Sequence, residues 1–139
     1  MTLVREAMVA EPATLEDSAS AVEAGERLAQ PEVRAVLVTD GSGRLVGVVT
    51  RSTLVREVVA SGRDPRATSL GAIAESPRFT IGADTPVEEA FQLLEEHDLE
   101  RVPVVEQGRL VGVLSRSVLQ RRLAEDEPPD EPPDFPAAA

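Results

Sequence analysis

Two short stretches set a hydroxyl beside a guanidinium: Thr50-Arg51 with Thr53 following, and Ser115-Arg116 with Val118 following. Each stands where an apolar, β-rich run gives way to an apolar helical pattern. A strand-to-helix junction of this kind leaves backbone N–H groups unpaired, and together with the helix dipole they favour an anion. The chemistry on offer at Thr50, Arg51, Ser115 and Arg116 is therefore capture of a phosphate-like group. Arg101, just ahead of a buried-strand pattern, is a further cation in reach of a cleft. Its counterpart is Ala35, so that role is confined to one site. The ordinary alternatives are plain: Thr50 and Ser115 as helix caps, with Ser52 and Ser117 competing for the position, and Arg51 and Arg116 as solvated or ion-paired surface groups. Catalysis has less to work with. There is no cysteine, His97 is the single histidine, and it reads as a surface residue. Glu88, Glu89, Glu95 and Glu96 fall on the polar side of a helix, and no nucleophile lies beside a base. An enzyme is not expected.

The elements that position these groups come in duplicate. Residues 43–52 read GRLVGVVTRS and residues 108–117 read GRLVGVLSRS, differing only at Val49/Leu114 and Thr50/Ser115. Sliding the chain by 65 or 66 places also brings Val4, Glu23, Leu28 and Val36 onto Leu70, Glu89, Leu94 and Val102. Whole units are repeated, which decides the architecture. Each unit opens with a weak helical piece (4–8 and 70–74), a Pro-bearing link at Pro12 or Pro77, and a brief strand (13–15 and 79–81). A helix follows. In the second unit Val87, Ala90, Phe91 and Leu94 form its apolar face, behind a capping box of Thr85 and Glu88 with Pro86 in the first helical position. In the first unit Ala21, Ala24, Gly25 and Leu28 mark the same face behind Ser20 and Glu23, and Gly25 makes that helix the softer one.

Two strands come next in each unit, 35–39 with 45–50 and 101–105 with 110–115, joined by Gly-containing turns of hairpin length. Gly47 and Gly112 interrupt these strands, as close approach by the other repeat or a ligand would require. Pro103 implies an edge or a bulge. Closing helices carry Leu54, Val55, Val58 and Val59 up to Gly62, and Val118, Leu119 and Leu123. The reading is α+β: two β-α-β-β-α repeats related by a pseudo-twofold axis, each with a small three-stranded sheet, packed as one module. Repeat 1 covers 1–62, a linker 63–68, repeat 2 covers 69–124, and 125–139 is an acidic, Pro-rich tail expected to be disordered.

Bulk properties narrow the partners. The 139 residues carry a net charge of −11, which disfavours nucleic acid and anionic membrane surfaces. Six acids and no base lie in 125–139, so the body itself is only mildly acidic. Without cysteine there is neither a disulfide nor a thiolate metal site. The opening MTLVREAMVAEP has acids and no long apolar run, so it reads as neither signal peptide nor membrane span, and the expected location is cytoplasmic.

The stretches AVLVTDGSGRLVGVVTRSTL and RVPVVEQGRLVGVLSRSVL, in this order of elements, resemble the tandem cystathionine β-synthase (CBS) domain, or Bateman module, over about 2–124. The resemblance implies two clefts in a pseudosymmetric disc, homodimers, and an adenosine-bearing ligand such as AMP, ADP, ATP or S-adenosylmethionine that regulates a partner protein. It also implies an aspartate, three residues past the Thr/Ser, that grips the ribose. Thr53 and Val118 occupy those places, so both carboxylates are missing. The phosphate-facing half survives, and the first-unit site near Thr50 and Thr53 is favoured because the Thr53 hydroxyl can keep one bond. The alternative is a dimerisation and interaction scaffold that has lost its ligand and docks through its tail.

Overall fold

The computed structural model describes residues 1–10 and 12–126, with the side chain of Asp126 left out. The first unit runs α1 (Val4–Ala7), β1 (Thr14–Glu16), α2 (Ala21–Leu28), β2 (Val36–Thr39), β3 (Leu45–Val49) and α3 (Arg51–Leu54). The second runs α4 (Leu70–Ile73), β4 (Ile81–Gly82), α5 (Val87–Glu96), β5 (Arg101–Glu106), β6 (Arg109–Ser115) and α6 (Arg116–Asp126). Two three-stranded sheets result, ordered β1-β2-β3 and β4-β5-β6. In each, the first strand pairs parallel with the middle one and the last pairs antiparallel. The expected α+β fold of two β-α-β-β-α repeats is therefore the fold observed.

The hairpins follow from their turn residues. Gln107 and Gly108 both have positive φ, 52° and 80°, which is what a two-residue type I′ turn demands. The first hairpin has one residue more, and Asp40 organises it: its Oδ1 accepts from Ser42 N and Ser42 Oγ at 2.8 Å and from Arg44 N at 3.1 Å. These bonds, the Ser42 hydroxyl first, hold the Asp40 carboxyl below its usual value. A depressed folded-state pKa contributes stability that is present above the unfolded value and lost as pH falls through the folded one. Asp40→Asn should therefore be less stable than the parent at neutral pH, and the gap should close as pH drops below the ordinary aspartate range. Urea unfolding at several pH values measures it.

The opening helices cross between the units. Val4 and Ala7 of α1 lie in one core with Ile81, Val87, Leu94, Val104 and Leu119, whereas Leu70 and Ile73 of α4 lie in the other with Leu28, Val36, Val49 and Val58. The chain beyond each helix then bonds to the far unit's last strand. Val9 exchanges hydrogen bonds with Val113 at 2.9 and 3.0 Å, and Glu75 with Val48 at 2.9 and 2.8 Å. On the pseudo-twofold axis the two GR turns meet, with Arg44 opposite Arg109, Leu45 N donating to Gly108 O at 3.4 Å and Leu110 N to Gly43 O at 3.1 Å. The repeated stretch is thus the seam between the units.

Gly47 and Gly112 make that seam possible. A Cβ on Gly47 would stand 2.7 Å from Glu75 O and 2.9 Å from Ala74 Cβ; one on Gly112 would stand 2.6 Å from Met8 Sδ and 2.8 Å from Val9 O. Gly25 is different. Its nearest neighbour would be Leu54 Cδ1 at 3.9 Å, ordinary contact. Gly25→Ala is expected to stabilise the protein by about 0.5–1 kcal/mol, because alanine loses less backbone entropy in a helix, and thermal unfolding would show it.

Several local expectations are corrected. Helix α2 has the reciprocal box, Glu23 N to Ser20 Oγ and Ser20 N to Glu23 Oε2, but the Thr85–Glu88 box does not form. Pro86 occupies the cap position equivalent to Ser20, not the first helical position, and has neither a side-chain oxygen nor an N–H. Instead Val87 N donates to Thr2 O at 3.0 Å, beside the Leu3–Pro86 bridge. Pro103 lies in the central strand, not at an edge, and the register shift falls one residue further on, between Val104 and Val105. The same shift occurs in the first unit between Val38 and Thr39. What Pro103 removes is the bond that its counterpart Leu37 makes to Ala13 O, and β4 is one residue shorter than β1.

The first closing helix changes to π-type turns over Val55–Val59, with Ala60 N bonded to Val55 O and Arg63 N to Val58 O. The wider turn buries Val58 and leaves Val55 and Val59 60% and 74% exposed, so the expected apolar face is split. Helix α6 runs to Asp126, two residues into the stretch assigned to the tail; residues 127–139 lie outside those described.

Candidate functional site

Thr50 and Thr53 cap α3 reciprocally. Thr50 N donates to Thr53 Oγ1 at 3.0 Å, Thr53 N to Thr50 Oγ1 at 3.3 Å, and the hydroxyls are 3.1 Å apart. Thr53 is 0% exposed, and its hydroxyl is taken up by the helix end. Arg51 turns away, with Nη2 donating to Gln30 O at 2.9 Å beyond the end of α2. The first-unit junction, favoured on sequence, is thereby occupied by its own capping.

The second junction is looser. Ser115 Oγ lies 3.0 Å from Ser117 Oγ and 3.5 Å from both Val118 N and Glu100 Oε1, distances at the limit of hydrogen bonding. Arg116 is held by acids, Nη1 at 3.3 Å from Asp98 Oδ1 and Nε at 3.7 Å from Glu100 Oε2. It has the ion-paired arrangement that was its ordinary alternative.

A cleft of about 520 Å³ lies between the units and brings a different set together. From the second unit it takes Arg101, Ser115, Ser117 and Val118; from the first, Glu32, Arg34, Val33 and Ala35. Val9, Pro12, Leu37, Val102, Pro103 and Val113 complete a largely apolar wall. Of the six residues singled out from sequence, Arg101 and Ser115 line this cleft, while Thr50, Arg51, Thr53 and Arg116 do not. Arg34 was missed. The repeat offset sets Ala35 against Arg101, and nothing in one sequence signals that the residue before Ala35 lines the same cleft. The guanidiniums of Arg34 and Arg101 make no hydrogen bond or ion pair with any described residue. Two unpaired guanidiniums, two hydroxyls and one carboxylate on apolar walls suit a ligand with an anionic end and a flat or apolar body. A second cleft, of about 450 Å³, is lined by Ala10, Pro12, Thr14, Thr39, Gly43, Leu110 and Val111, none of them charged among the described residues.

His97 stays at the surface as expected, stacked on Phe79 with ring centroids 4.2 Å apart. Among the described residues no three His, Asp or Glu side chains gather as metal donors, and no helix is long and apolar enough to cross a membrane.

Comparison with known proteins agrees with this architecture. The CBS domain model matches twice, over residues 4–60 and 70–125. Hypoxic response protein 1 of Mycobacterium tuberculosis is 27% identical over 125 residues, covering 90% of this chain and 87% of that protein. Its crystal structure, with two coordinated zinc ions, superposes with a TM-score of 0.76 at 26% identity over 88% of this chain and 99% of that one. CBSX2 in complex with AMP gives a TM-score of 0.73 at 24% identity, covering 90% and 98% of the two chains. The CBS domain pair of MJ0100, with 5-methylthioadenosine and S-adenosylmethionine, gives 0.69 at 23%, covering 91% and 99%. With two matched domains spanning most of its length, each supplying one sheet and one side of the cleft, the chain belongs to the CBS domain family as a tandem pair.

Proposed function

We propose that this protein is a regulatory binding module that takes an anionic adenine nucleotide in the cleft between its repeats and reports occupancy to a partner protein. The observation that carries the reading is the pair of unpaired arginines, Arg34 and Arg101, one from each unit, facing a cleft with the Ser115 and Ser117 hydroxyls. The phosphates belong with the arginines and serines, and the adenine with the apolar wall. CBS pairs of the same fold hold AMP in CBSX2 and S-adenosylmethionine in MJ0100, which supports a nucleoside body for the ligand. Because Val118 stands where the family's ribose-gripping aspartate belongs, affinity should depend more on phosphate than on ribose. ATP and ADP should therefore bind more tightly than AMP, and S-adenosylmethionine, which has no phosphate, least. The ligand bridges two units that share crossed helices, so occupancy would stiffen the seam rather than start a reaction.

A thermal-shift panel of AMP, ADP, ATP and S-adenosylmethionine tests the proposal. Ligand at 100 times Kd adds about 2.7 kcal/mol of stability, a readily measured shift. No shift with any of them at millimolar concentration would leave the scaffold reading. Pairing of two chains through the exposed Val55 and Val59 belongs to the same proposal. Val59→Glu should then shift the mass seen by light scattering from dimer to monomer.

A further inference from the structure

The arginine cleft has a second source of anions within this chain. Residues 127–139, EPPDEPPDFPAAA, hold Glu127, Asp130, Glu131 and Asp134, no base, and Phe135. They leave from the end of α6, whose first turn contains the cleft residue Val118. From Val118 to Asp126 the helix rises about 12 Å. From Asp126 to Asp134 an extended chain spans about 26 Å, more than enough to return. The proline pairs favour extended backbone, which lowers the entropy lost on docking. The chemistries also match: acids meet Arg34 and Arg101, and Phe135 with its flanking Pro136 meets the apolar wall of Val102, Pro103 and Val113.

We infer that the tail segment 130–136 docks in the cleft of its own chain as a tethered anion and competes there with the diffusible ligand. The inference rests on reading the cleft as an anion site and adds how that site is regulated. Tethering gives the tail an effective concentration in the millimolar range, so even a weak contact opposes a ligand of modest affinity. By linkage, ligand binding releases the tail to the same extent that the tail weakens the ligand. The signal passed to a partner is then an exposed acidic, proline-rich segment.

The test uses the full chain. With no native cysteine, Ala139→Cys accepts a single nitroxide label, and amide relaxation reports where the tail rests. In low salt the label should broaden amides around Arg34 and Arg101. The broadening should disappear in Arg34→Ala/Arg101→Ala, in Asp130→Asn/Glu131→Gln/Asp134→Asn, and in high salt. Absence of broadening at the cleft in low salt would overturn the inference. So would broadening seen only between labelled and unlabelled chains, which would mean a second copy's tail. ATP affinity separates the two proposals. Neutralising the tail acids should tighten ATP about tenfold in low salt, as loss of a tethered competitor would. Equal affinity with and without the tail acids would sink the tail while keeping the nucleotide site. Cleft broadening with no ATP binding to the neutralised variant would keep the tail and sink the nucleotide.

Discussion

Gly47→Ala is expected to destabilise the protein by about 1–3 kcal/mol, toward the upper end, although the substitution only adds a methyl group to a strand. The added Cβ would stand 2.7 Å from Glu75 O, which accepts the Val48 N hydrogen bond at 2.8 Å. The methyl therefore pushes on the carbonyl that joins the second unit's opening segment to β3, and backbone on both sides resists. Gly112→Ala meets Val9 O at 2.8 Å but also the flexible Met8 side chain, so a somewhat smaller loss is expected. Urea unfolding measures both. Stability unchanged in both variants would mean that the crossed segments do not seat on the strands, and the account of why the repeat keeps its inner glycine would fail.

The second large effect concerns ligand choice. Val118 lines the cleft, and if the proposed nucleotide sits there with its ribose at this position, Val118→Asp supplies the carboxylate that the resemblance leads one to expect. A hydrogen bond to a charged group contributes about 1.5–3 kcal/mol, which is about tenfold to a hundredfold in affinity. ATP should tighten by that factor relative to inorganic pyrophosphate, which has phosphate but no ribose. A parallel change for both would mean that the ribose does not approach Val118. Thr53→Asp is the poorer experiment, because Thr53 is buried in the α3 cap and a charge there disturbs the helix end first.

The fold was legible because its signals are local and repeated. The 65-residue offset, the hairpin glycines and the apolar helix faces each report on neighbours along the chain. The crossing of α1 and α4 was not legible, since both helices are equally compatible with either core by sequence. The interruption at Gly47 and Gly112 was its one trace. The box at Thr85 and Glu88 looked sound because its spacing is right, yet the bridge from Leu3 to Pro86 starts α5 one residue later. In the site, the hydroxyl-arginine pairs were visible but their partners were not. Thr53, Gln30, Asp98 and Glu100 absorb Thr50, Arg51 and Arg116, and those contacts depend on side-chain directions that one sequence does not contain. Arg34 belongs to no motif and reaches the cleft only through the packing of the two units.

The claim that the inter-repeat cleft is an anionic nucleotide site rests on Arg34 and Arg101, and calorimetric titration of ATP into parent protein and Arg34→Ala/Arg101→Ala in low salt tests it directly. The account predicts one site per chain in the parent and a loss of at least about a hundredfold in the variant, from two charged hydrogen bonds of about 1.5–3 kcal/mol each. ATP binding equally well to both proteins would contradict it.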